Sequence, residues 1–403
     1  MIREFWVENY LSIKSRQTLN FESKTNDDEW ASVDFGNGKR INKLAVIYGA
    51  NAAGKSNILS ALLNVFELLF YPWENKTESV RTKRPFALSA DKLTRMHVSF
   101  YASHIRYDYT ISYTSGHIVE ELMEWFPNGS KALFYERKFV SDDSQASIKF
   151  GQSLGLSAKT KDIFLQNTLN NHTVLSCFGK RSFEADAKPI ANLYNWIGRY
   201  IHRLDNPQFT LEKSLKQVLE NEKAKQFYIQ MLEKADFNIV DFHAQTEIKD
   251  EGQTKIYFDC KAGNKTFSLG LDEQSQGTKK FLRNLSTLYS AVSNHHIYFI
   301  DEIDSELHDD LLLYFLNAFI MNSSESQLFF TSQETPLLNE DLLNNHRDFV
   351  FFAEKNREGA YSEYIRADVF GLHKNMSLYK SYRNGRLGAV PQLGSPLMFM
   401  DNE

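Results

Sequence analysis

The arrangement of apolar and polar positions is most regular between residues 44 and 71. An uninterrupted apolar run at 44–48 is typical of a strand that is buried on both faces. A polar, glycine-containing stretch follows, and after it apolar residues recur three and four positions apart, as on one face of a helix. These helical positions are Ile58, Leu59, Leu62, Leu63, Phe66, Leu69 and Phe70. The pattern therefore predicts a buried strand, a loop and a core helix in succession.

Residues 96–140 contain several strand-like runs. Gly116 and the pair Asn128-Gly129 separate these runs and are typical of hairpin turns, so we predict an antiparallel meander. Aromatic residues favour strands, and the tyrosines of one run therefore indicate packing within the sheet more strongly than a platform for stacking bases. The alternating residues of that run are Tyr107, Tyr109, Ile111 and Tyr113.

The stretch 157–235 is polar, and its apolar residues have helical spacing, which predicts an inserted helical region. Residues 239–271 return to strand-like runs, and 276–294 predicts another helix. We therefore predict an α/β protein in three parts. These are an N-terminal lobe with the loop and the meander (1–156), a helical insertion (157–238) and a C-terminal lobe (239–403).

The charge balance gives no general sign of nucleic-acid binding, because the 403 residues carry a net charge of −5 at pH 7. A DNA or RNA surface would have to be a local patch, formed by Arg81, Lys83, Arg84, Lys374, Lys380, Arg383 and Arg386. No segment approaches the roughly twenty apolar residues that span a bilayer. Cys177 and Cys260 lack the spacing of a zinc site or a disulfide framework. We expect a cytoplasmic protein.

The loop at 49–56, Gly-Ala-Asn-Ala-Ala-Gly-Lys-Ser, matches G-x-x-x-x-G-K-[ST] in full. Between a strand and a helix this motif cradles phosphates, because successive N–H groups face one point and the helix adds its positive end. Lys55 would supply charge for the β- and γ-phosphates of ATP, and Ser56 a hydroxyl for Mg²⁺. The alternative is a glycine turn before a core helix. The predicted nucleotide-binding residues are Gly49, Ala50, Asn51, Ala52, Ala53, Gly54, Lys55, Ser56 and Asn57.

A second apolar run, 297–300, leads directly into two acids, Asp301 and Glu302. At the C-terminal edge of a parallel sheet such acids face the nucleotide crevice. Asp301 would hold Mg²⁺ through water, since Mg²⁺ keeps most of its hydration shell. Glu302 would orient or deprotonate the attacking water and is therefore a candidate catalytic residue. The alternative is a strand that ends in a solvated acidic loop.

Residues 274–280, Gln-Ser-Gln-Gly-Thr-Lys-Lys, resemble the signature loop of ABC-type ATPases. The resemblance implies that Ser275 offers a hydroxyl and Gly277 a backbone amide to phosphate, with Gln276 between them, at the start of a helix. In ABC-type ATPases this loop closes on the nucleotide of the other subunit. A head-to-tail homodimer that sandwiches two ATP molecules is therefore implied. The alternative is that Ser275 caps an ordinary helix.

The segment after the acids, 304–308, resembles the D-x-x-L-H region of the SMC-like and RecF-like branch of ABC ATPases. That branch usually has a histidine further along the chain that senses the γ-phosphate. Gln333 holds the corresponding place here, after the strand-like run that begins at Leu328. A glutamine donates hydrogen bonds but cannot carry charge, so we expect slow hydrolysis and long-lived ATP-bound dimers.

Two further segments extend the resemblance along nearly the whole chain: the N-terminal F-x-V-E-N-Y-x-S-I at 5–13 and the C-terminal L-Y-K-S-Y-R-N-G-R-L-G-A-V-P at 378–391. Together the motifs resemble the compact SMC/RecF/OLD-like ATPases. Many of these are the ATPase components of bacterial abortive-infection and phage-defence systems of the AbiL and RloA kind. The resemblance implies an ABC-type ATPase head with a P-loop core, an antiparallel β subdomain and, at 157–235, a helical insertion.

The same resemblance implies a role. We expect a sensor or scaffold in anti-phage defence that controls a separate effector, a nuclease or toxin from a neighbouring gene. The alternative is a RecF-like DNA repair or recombination ATPase that binds DNA in an ATP-dependent way, with an affinity that falls steeply with salt. A transport ATPase is disfavoured, because the sequence contains no membrane segment.

Overall fold

The computed structural model describes residues 1–24, 29–36, 38–81, 84–141, 147–180, 183, 185–203, 210–246, 254–356, 358–373 and 375–390. The strands among them are β1 (Ile2–Glu8), β2 (Gln17–Asn20), β3 (Ser32–Asp34), β4 (Arg40–Asn42), β5 (Leu44–Tyr48), β6 (Thr94–Ala102), β7 (Ile105–Tyr113), β8 (Ile118–Phe126), β9 (Ala132–Lys138), β10 (Ser147–Phe150), β11 (Ile201–Arg203), β12 (Ile239–Thr246), β13 (Thr254–Ala262), β14 (Lys265–Gly270), β15 (Ile297–Ile300), β16 (Gln327–Ser332), β17 (Val350–Lys355) and β18 (Ser362–Arg366). The helices are α1 (Lys55–Phe70), α2 (Ala158–Asn167), α3 (Val174–Cys177), α4 (Lys188–Tyr200), α5 (Leu211–Leu219), α6 (Glu222–Lys234), α7 (Gln276–Ser293), α8 (Asp309–Asn322), α9 (Asp341–Asn345) and α10 (Leu378–Arg383).

A six-stranded sheet carries the predicted strand, loop and helix. Its order is β11-β15-β16-β5-β17-β18, with every neighbouring pair parallel except β17 and β18. Every residue of β5, β15 and β16 is buried, as expected for parallel strands that are covered on both faces. The P-loop strand β5 and the acid strand β15 are separated by β16. Their C-terminal ends therefore meet along one edge of the sheet, which confirms the predicted α/β class and P-loop core.

The two faces of this sheet belong to two hydrophobic cores. Ala45 and Ile47 of β5 pack with α1 and a second large sheet, whereas Leu44, Val46 and Tyr48 pack with α7 and α8. This alternation follows from the period of two along a strand. The helix α1 is buried on both faces because it lies between the two sheets.

The second large sheet confirms the predicted antiparallel meander. Its order is β10-β9-β8-β7-β6-β1-β2, and all of its neighbours are antiparallel. Tyr107, Tyr109 and Tyr113 are 4%, 0% and 1% exposed, so the tyrosine face of β7 forms part of the core. These tyrosines pack and do not present a surface for bases.

The described part of 157–235 contains the helices α2 to α6, as predicted, but these helices divide between the two cores. Helices α2, α3 and α4 join the core of the antiparallel sheet, and α5 and α6 join the other core beside the small sheet β12-β13-β14. Between them, β11 pairs in parallel with the acid strand β15. The sequence did not indicate β11, because three residues are too few to show a period. The division of the chain at 156 and 238 stays a prediction.

One buried amide joins the two large sheets. The Gln327 side chain of β16 accepts a hydrogen bond from the Ile2 N–H at 2.6 Å and donates to the carbonyls of Ile2 and Asn42, each at 3.0 Å. Gln327 is fully buried, and an unpaired amide there would cost about 1–3 kcal/mol. The pairing therefore holds the N-terminal strand against the P-loop sheet.

Candidate nucleotide site

The P-loop connects the end of β5 to the start of α1, and its two glycines are required by the backbone. Gly54 has φ 101° and caps α1, and a Cβ there would lie 2.3 Å from the Ser362 Oγ. A Cβ on Gly49 would lie 2.4 Å from the Ala353 carbonyl oxygen. Only glycine fits either position without a shift of the neighbouring strands.

Unsatisfied donors cluster at the start of α1. Among the described residues, the backbone N–H groups of Gly54, Lys55 and Ser56 donate to no other residue. The Lys55 Nζ is buried and donates back to the carbonyls of Gly49 at 3.0 Å and Ala50 at 3.2 Å. The loop thus offers converging N–H groups, a helix N-terminus and an ammonium, which together suit a chain of phosphates.

Neighbouring segments brace this loop from behind. The Asn57 side chain donates to the Ser12 Oγ at 2.7 Å, and the Tyr364 hydroxyl donates to the Gly54 carbonyl at 2.7 Å. Ser12 belongs to the N-terminal F-x-V-E-N-Y-x-S-I segment, and Tyr364 belongs to β18. Ser56 remains exposed at the first turn of α1, so its hydroxyl is accessible to a ligand.

The two acids follow β15 and are held by a threonine from the strand beside it. The Thr331 hydroxyl donates to the Asp301 Oδ1 at 2.5 Å and accepts from the Glu302 N–H at 2.8 Å. Glu302 has φ 48°, a left-handed conformation that is uncommon outside glycine. The bond from its N–H to Thr331 fixes this conformation. Sequence reasoning missed Thr331, because its role arises from the pairing of β15 with β16.

Gln333 lies next to Glu302. Its Nε2 donates to the Glu302 Oε1 at 3.0 Å, and its backbone N–H donates to the Asp304 Oδ2 at 2.8 Å. The same carboxylate oxygen of Asp304 accepts from the Ser332 hydroxyl and the Glu334 N–H, each at 3.0 Å. Asp304 therefore orders the segment that carries Gln333. The sequence singled out Asp304 as part of the D-x-x-L-H segment, but it did not indicate that Asp304 orders the residues around Gln333.

The electrostatics of Lys55 connect the loop to the acids. Burial lowers the pKa of Lys55, and the negative charges of Glu302, Asp304 and Asp301 act in the opposite direction. The Lys55 ammonium is therefore within electrostatic range of three carboxylates that follow β15, those of Asp301, Glu302 and Asp304.

The signature segment lies at the start of α7. Ser275 caps this helix by accepting from the Thr278 N–H at 3.0 Å, and Ser275 and Gln276 are exposed. The neighbouring segment is the one after the acids: a Cβ on Gly277 would lie 3.2 Å from the Glu306 carbonyl oxygen. The capping role proposed as the alternative is thus present. The cap leaves Ser275 and Gln276 exposed.

A cavity of about 1060 Å³ opens beside the P-loop. Gly49, Ala50, Asn51 and Ala53 line one side of it, and Gln333 lies in the same lining. Residues Tyr382, Arg383, Asn384, Gly385, Ala389 and Val390 of the C-terminal segment also line it. None of residues 275–277 lines this cavity. A second cavity, of about 530 Å³, lies between β7 and α4 and contains none of the predicted site residues.

The chain matches a protein-family model over residues 44–339, from the P-loop strand to the segment that follows Gln333. That family is described as "AAA domain, putative AbiEii toxin, Type IV TA system". The chain belongs to this family. The match covers more than half of the chain and makes it an AAA-domain protein of a nucleotide-binding ATPase family. The related expectation of a link to abortive-infection ATPases is confirmed at the level of the family.

Similar solved structures are SMC heads. An SMC head bound to the C-terminal winged-helix domain of ScpA has a TM-score of 0.43 and 14% identity, over 95% of this chain and 99% of that one. An SMC head domain from Thermotoga maritima has a TM-score of 0.41 and 11% identity, over 91% of this chain and 98% of that one. An SMC head with an extended coiled coil, bound to the C-terminal domain of ScpA from Pyrococcus furiosus, has a TM-score of 0.41 and 13% identity. The match covers 96% of this chain and 98% of that one. No curated protein matches the chain.

The predicted basic patch stays a prediction, and two of its residues have described surroundings. The Arg81 guanidinium packs over the rings of Trp73 at 4.1 Å and Tyr71 at 5.3 Å. Arg383 lines the cavity beside the P-loop. Lys83 and Lys374 lie outside the described residues. Among the helices that the structure describes, none combines the length and apolar character of a membrane span.

Proposed function

We propose that this protein binds ATP with Mg²⁺ and hydrolyses it slowly. The observation that carries the proposal is the hydrogen bond between Gln333 and Glu302 at the sheet edge where the P-loop begins and β15 ends. This hydrogen bond joins Glu302, which is suited to orient water, to Gln333, which also lines the cavity beside the P-loop. The family supports nucleotide binding, and the site supports the chemistry.

The chain's own groups would divide the work. Lys55 and the free N–H groups of the loop would hold the phosphates, and Glu302 would orient or deprotonate the attacking water. The Gln333 amide has two N–H bonds, of which one is engaged by Glu302 and the other remains for a γ-phosphate oxygen. Because this amide carries no charge, it stabilises the developing negative charge less than an imidazolium would, and turnover should be slow.

Magnesium fits the donor set. The exposed Ser56 hydroxyl would hold Mg²⁺ directly and the Asp301 carboxylate would hold it through water, since both are hard oxygen donors of the kind that Mg²⁺ prefers. When bound, Mg²⁺ neutralises charge on the β- and γ-phosphates. The Thr331 hydroxyl orients the Asp301 carboxylate for this role.

The signature segment supports a head-to-tail homodimer around two ATP molecules. Ser275 and Gln276 are exposed at the N-terminus of the long helix α7, yet the cavity of the same chain includes neither of them. A second copy related by a two-fold axis would place each signature loop over the other copy's nucleotide. Each ATP would then be held by two chains.

We further propose that the closed dimer is a sensor or scaffold for a separate effector, a nuclease or toxin, in bacterial anti-phage defence. The family's description, which names a putative AbiEii toxin and a type IV toxin–antitoxin system, supports the link to such systems. Co-purification with the product of the neighbouring gene, with and without ATP, tests it. We expect capture that requires ATP, and protection in phage plating assays. ATP-independent capture together with unprotected cells would contradict the proposal.

Nucleotide binding itself is tested with Lys55→Ala. This variant removes the ammonium from the loop and should reduce ATP affinity by at least about 100-fold, because charge-assisted contacts to phosphate are lost in a buried site. Lys39→Ala, which removes a surface lysine before β5, is the control and should bind as the wild type does. Equilibrium binding of a fluorescent ATP analogue measures both. Equal affinity of Lys55→Ala and wild type would contradict the assignment of the loop.

A further inference from the structure

The C-terminal segment 378–390, here called the C-terminal block, is attached directly to the P-loop. The Ala50 N–H, in the loop itself, donates to the Ala389 carbonyl at 3.1 Å. The Tyr382 hydroxyl donates to the same carbonyl at 3.0 Å, and its ring stacks on Phe352 of β17 with centroids 5.3 Å apart. The family match ends at residue 339, so this contact lies outside it. The C-terminal block is thus anchored at the loop and at the strand beside it.

The backbone of the block fixes the end of α10 above the loop. The N–H groups of Asn384, Gly385 and Arg386 return to carbonyls of α10 at 3.1, 2.8 and 3.1 Å, which closes the helix C-terminus. Further along, Gly388 has φ 63°, and a Cβ on it would lie 2.3 Å from a Glu354 carboxylate oxygen. The turn therefore lies close against the end of β17. Arg383, the last residue of α10, is held in place by these contacts.

Arg383 lies on the wall of the cavity beside the P-loop. It lines the same cavity as Ala50 and Asn51, it is exposed, and among the described residues it forms no hydrogen bond or ion pair. Lys55, by contrast, is already engaged by two loop carbonyls. A guanidinium presents a planar fork of donors that matches the oxygens of a phosphate group.

The position of Arg383 indicates which phosphate it would meet. Gln333 lines the same cavity and donates to Glu302, the residue assigned to the attacking water. The cavity therefore borders the end of the site where the terminal phosphate reacts. A diphosphate would leave this end without an anion.

We propose that Arg383 binds the γ-phosphate of ATP in its own chain, so that the C-terminal block distinguishes ATP from ADP. This inference rests on the proposed nucleotide-binding function. Since the block is attached to Ala50 through Ala389, occupancy of the terminal phosphate site is transmitted to the surface that the block forms. The block is a nucleotide-sensing part of the site, and Arg383 is a binding residue.

Titration with Mg²⁺ and either ATP or ADP, by calorimetry or a displaced fluorescent analogue, tests the inference in a Glu302→Gln background, where ATP is not consumed. Arg383→Ala should weaken ATP binding about 10-fold or more, as expected for a lost charge-assisted contact, and leave ADP affinity within about two-fold. Arg383→Lys should retain part of the preference. Arg386→Ala, three residues away in the same block but outside the cavity lining, should bind both nucleotides as the parent does.

Each contrary outcome has a distinct meaning. Equal ATP affinity in Arg383→Ala and its parent overturns the inference, as does an equal loss for ATP and ADP, which would make the block a structural wall. Loss of ATP preference in Lys355→Ala but not in Arg383→Ala would assign the contact to the other cation of the lining. If the parent binds neither nucleotide, the proposed function fails as well. Thermal unfolding of each variant shows that the comparison is made between folded proteins, and Arg383→Gln takes the place of Arg383→Ala if the alanine variant does not fold.

Discussion

At the scale of single residues, the two acids after β15 have different surroundings. Asp301 accepts a hydrogen bond from the Thr331 hydroxyl at one carboxylate oxygen. Its second carboxylate oxygen is left for the proposed hydrated Mg²⁺. Glu302 is exposed and accepts a hydrogen bond from the Gln333 side-chain amide. Its backbone has a left-handed conformation with φ 48°. Such a conformation costs on the order of 1–3 kcal/mol and persists where neighbours enforce it, often at functional sites. The two acids thus have the different surroundings that the proposed metal-facing and water-facing roles require.

Replacing Glu302 with Gln tests this separation. The amide has the shape of the carboxylate but cannot accept a proton, so ATP should bind normally while hydrolysis falls by about 100-fold or more. Phosphate release in single-turnover and steady-state assays measures the effect. Glu306→Gln, a nearby exposed acid, is the control. Hydrolysis at the wild-type rate in Glu302→Gln would show that this residue is not the group that activates water.

Gln333→His tests the origin of slow turnover. An imidazole can donate to the γ-phosphate and also carry charge, whereas the amide only donates. We expect a rise in kcat of about 10-fold with little change in ATP affinity, because the interaction strengthens in the transition state. Gln333→Ala should lower kcat. A histidine variant slower than the alanine variant would contradict the assignment of this position.

The sequence predicted the residues whose chemistry is contained in a contiguous motif, and it missed those whose role depends on pairing between strands. The P-loop residues fall at the end of β5 and the start of α1, as expected from their order. Thr331 and Asp304 act through contacts to residues 28 to 30 positions away in the chain. No local pattern records such contacts. The same holds for the Ala50–Ala389 hydrogen bond.

At the scale of elements, a buried ion pair fixes the loop before α3 to the antiparallel sheet. Arg137 of β9 and Glu121 of β8 are both fully buried, with N and O 3.3 Å apart. Arg137 also donates to the carbonyls of His172 at 2.7 Å and Leu169 at 2.9 Å. Burial raises the pKa of Glu121, and Arg137 acts against this shift. The pair therefore orders a segment that contacts α1, where the Thr173 hydroxyl donates to the Leu68 carbonyl at 2.7 Å.

Arg137→Met should reduce the free energy of unfolding by about 3–5 kcal/mol, because it leaves a buried carboxylate and two buried carbonyls without their partner. Chemical denaturation measures the loss. Lys131→Ala is the matched control: it breaks an exposed ion pair of the same sheet, at 2.8 Å from Glu124, and should cost less than about 1 kcal/mol. Equal costs for the two variants would contradict the structural role assigned to the buried pair.

The elements with strong periodicity were predicted well, and the exceptions have a physical cause. The strands of the meander and the helices α1 and α7 lie where their spacing placed them. The helices between 157 and 235 were also expected, but their division between two cores was not. An amphipathic helix shows which of its faces is buried but does not show which sheet covers that face. The short strand β11 carries too few residues for any pattern.

In the whole molecule, the cavity beside the P-loop and the signature segment lie apart from each other. The cavity is lined by the P-loop, Gln333 and the C-terminal block, and residues 275–277 stand apart from it at the exposed start of α7. Lys280 of that helix donates to the Ser305 hydroxyl at 3.0 Å, beside the acids. The signature helix of each chain is therefore in contact with that chain's own acid segment. Closure of a dimer would act on both sites together.

The central claim, that ATP joins two copies through their signature loops, is tested most directly by the mass of Glu302→Gln in sedimentation with Mg²⁺ and ATP. We predict a species of twice 46.7 kDa with ATP and a monomer with ADP. Adding Ser275→Asn should keep the dimer, whereas Ser275→Asp should bind ATP but remain monomeric: both side chains cap α7, but only the carboxylate repels the partner's phosphate. An ATP-bound Glu302→Gln protein that stays monomeric, or a Ser275→Asp variant that still dimerises, would contradict the account.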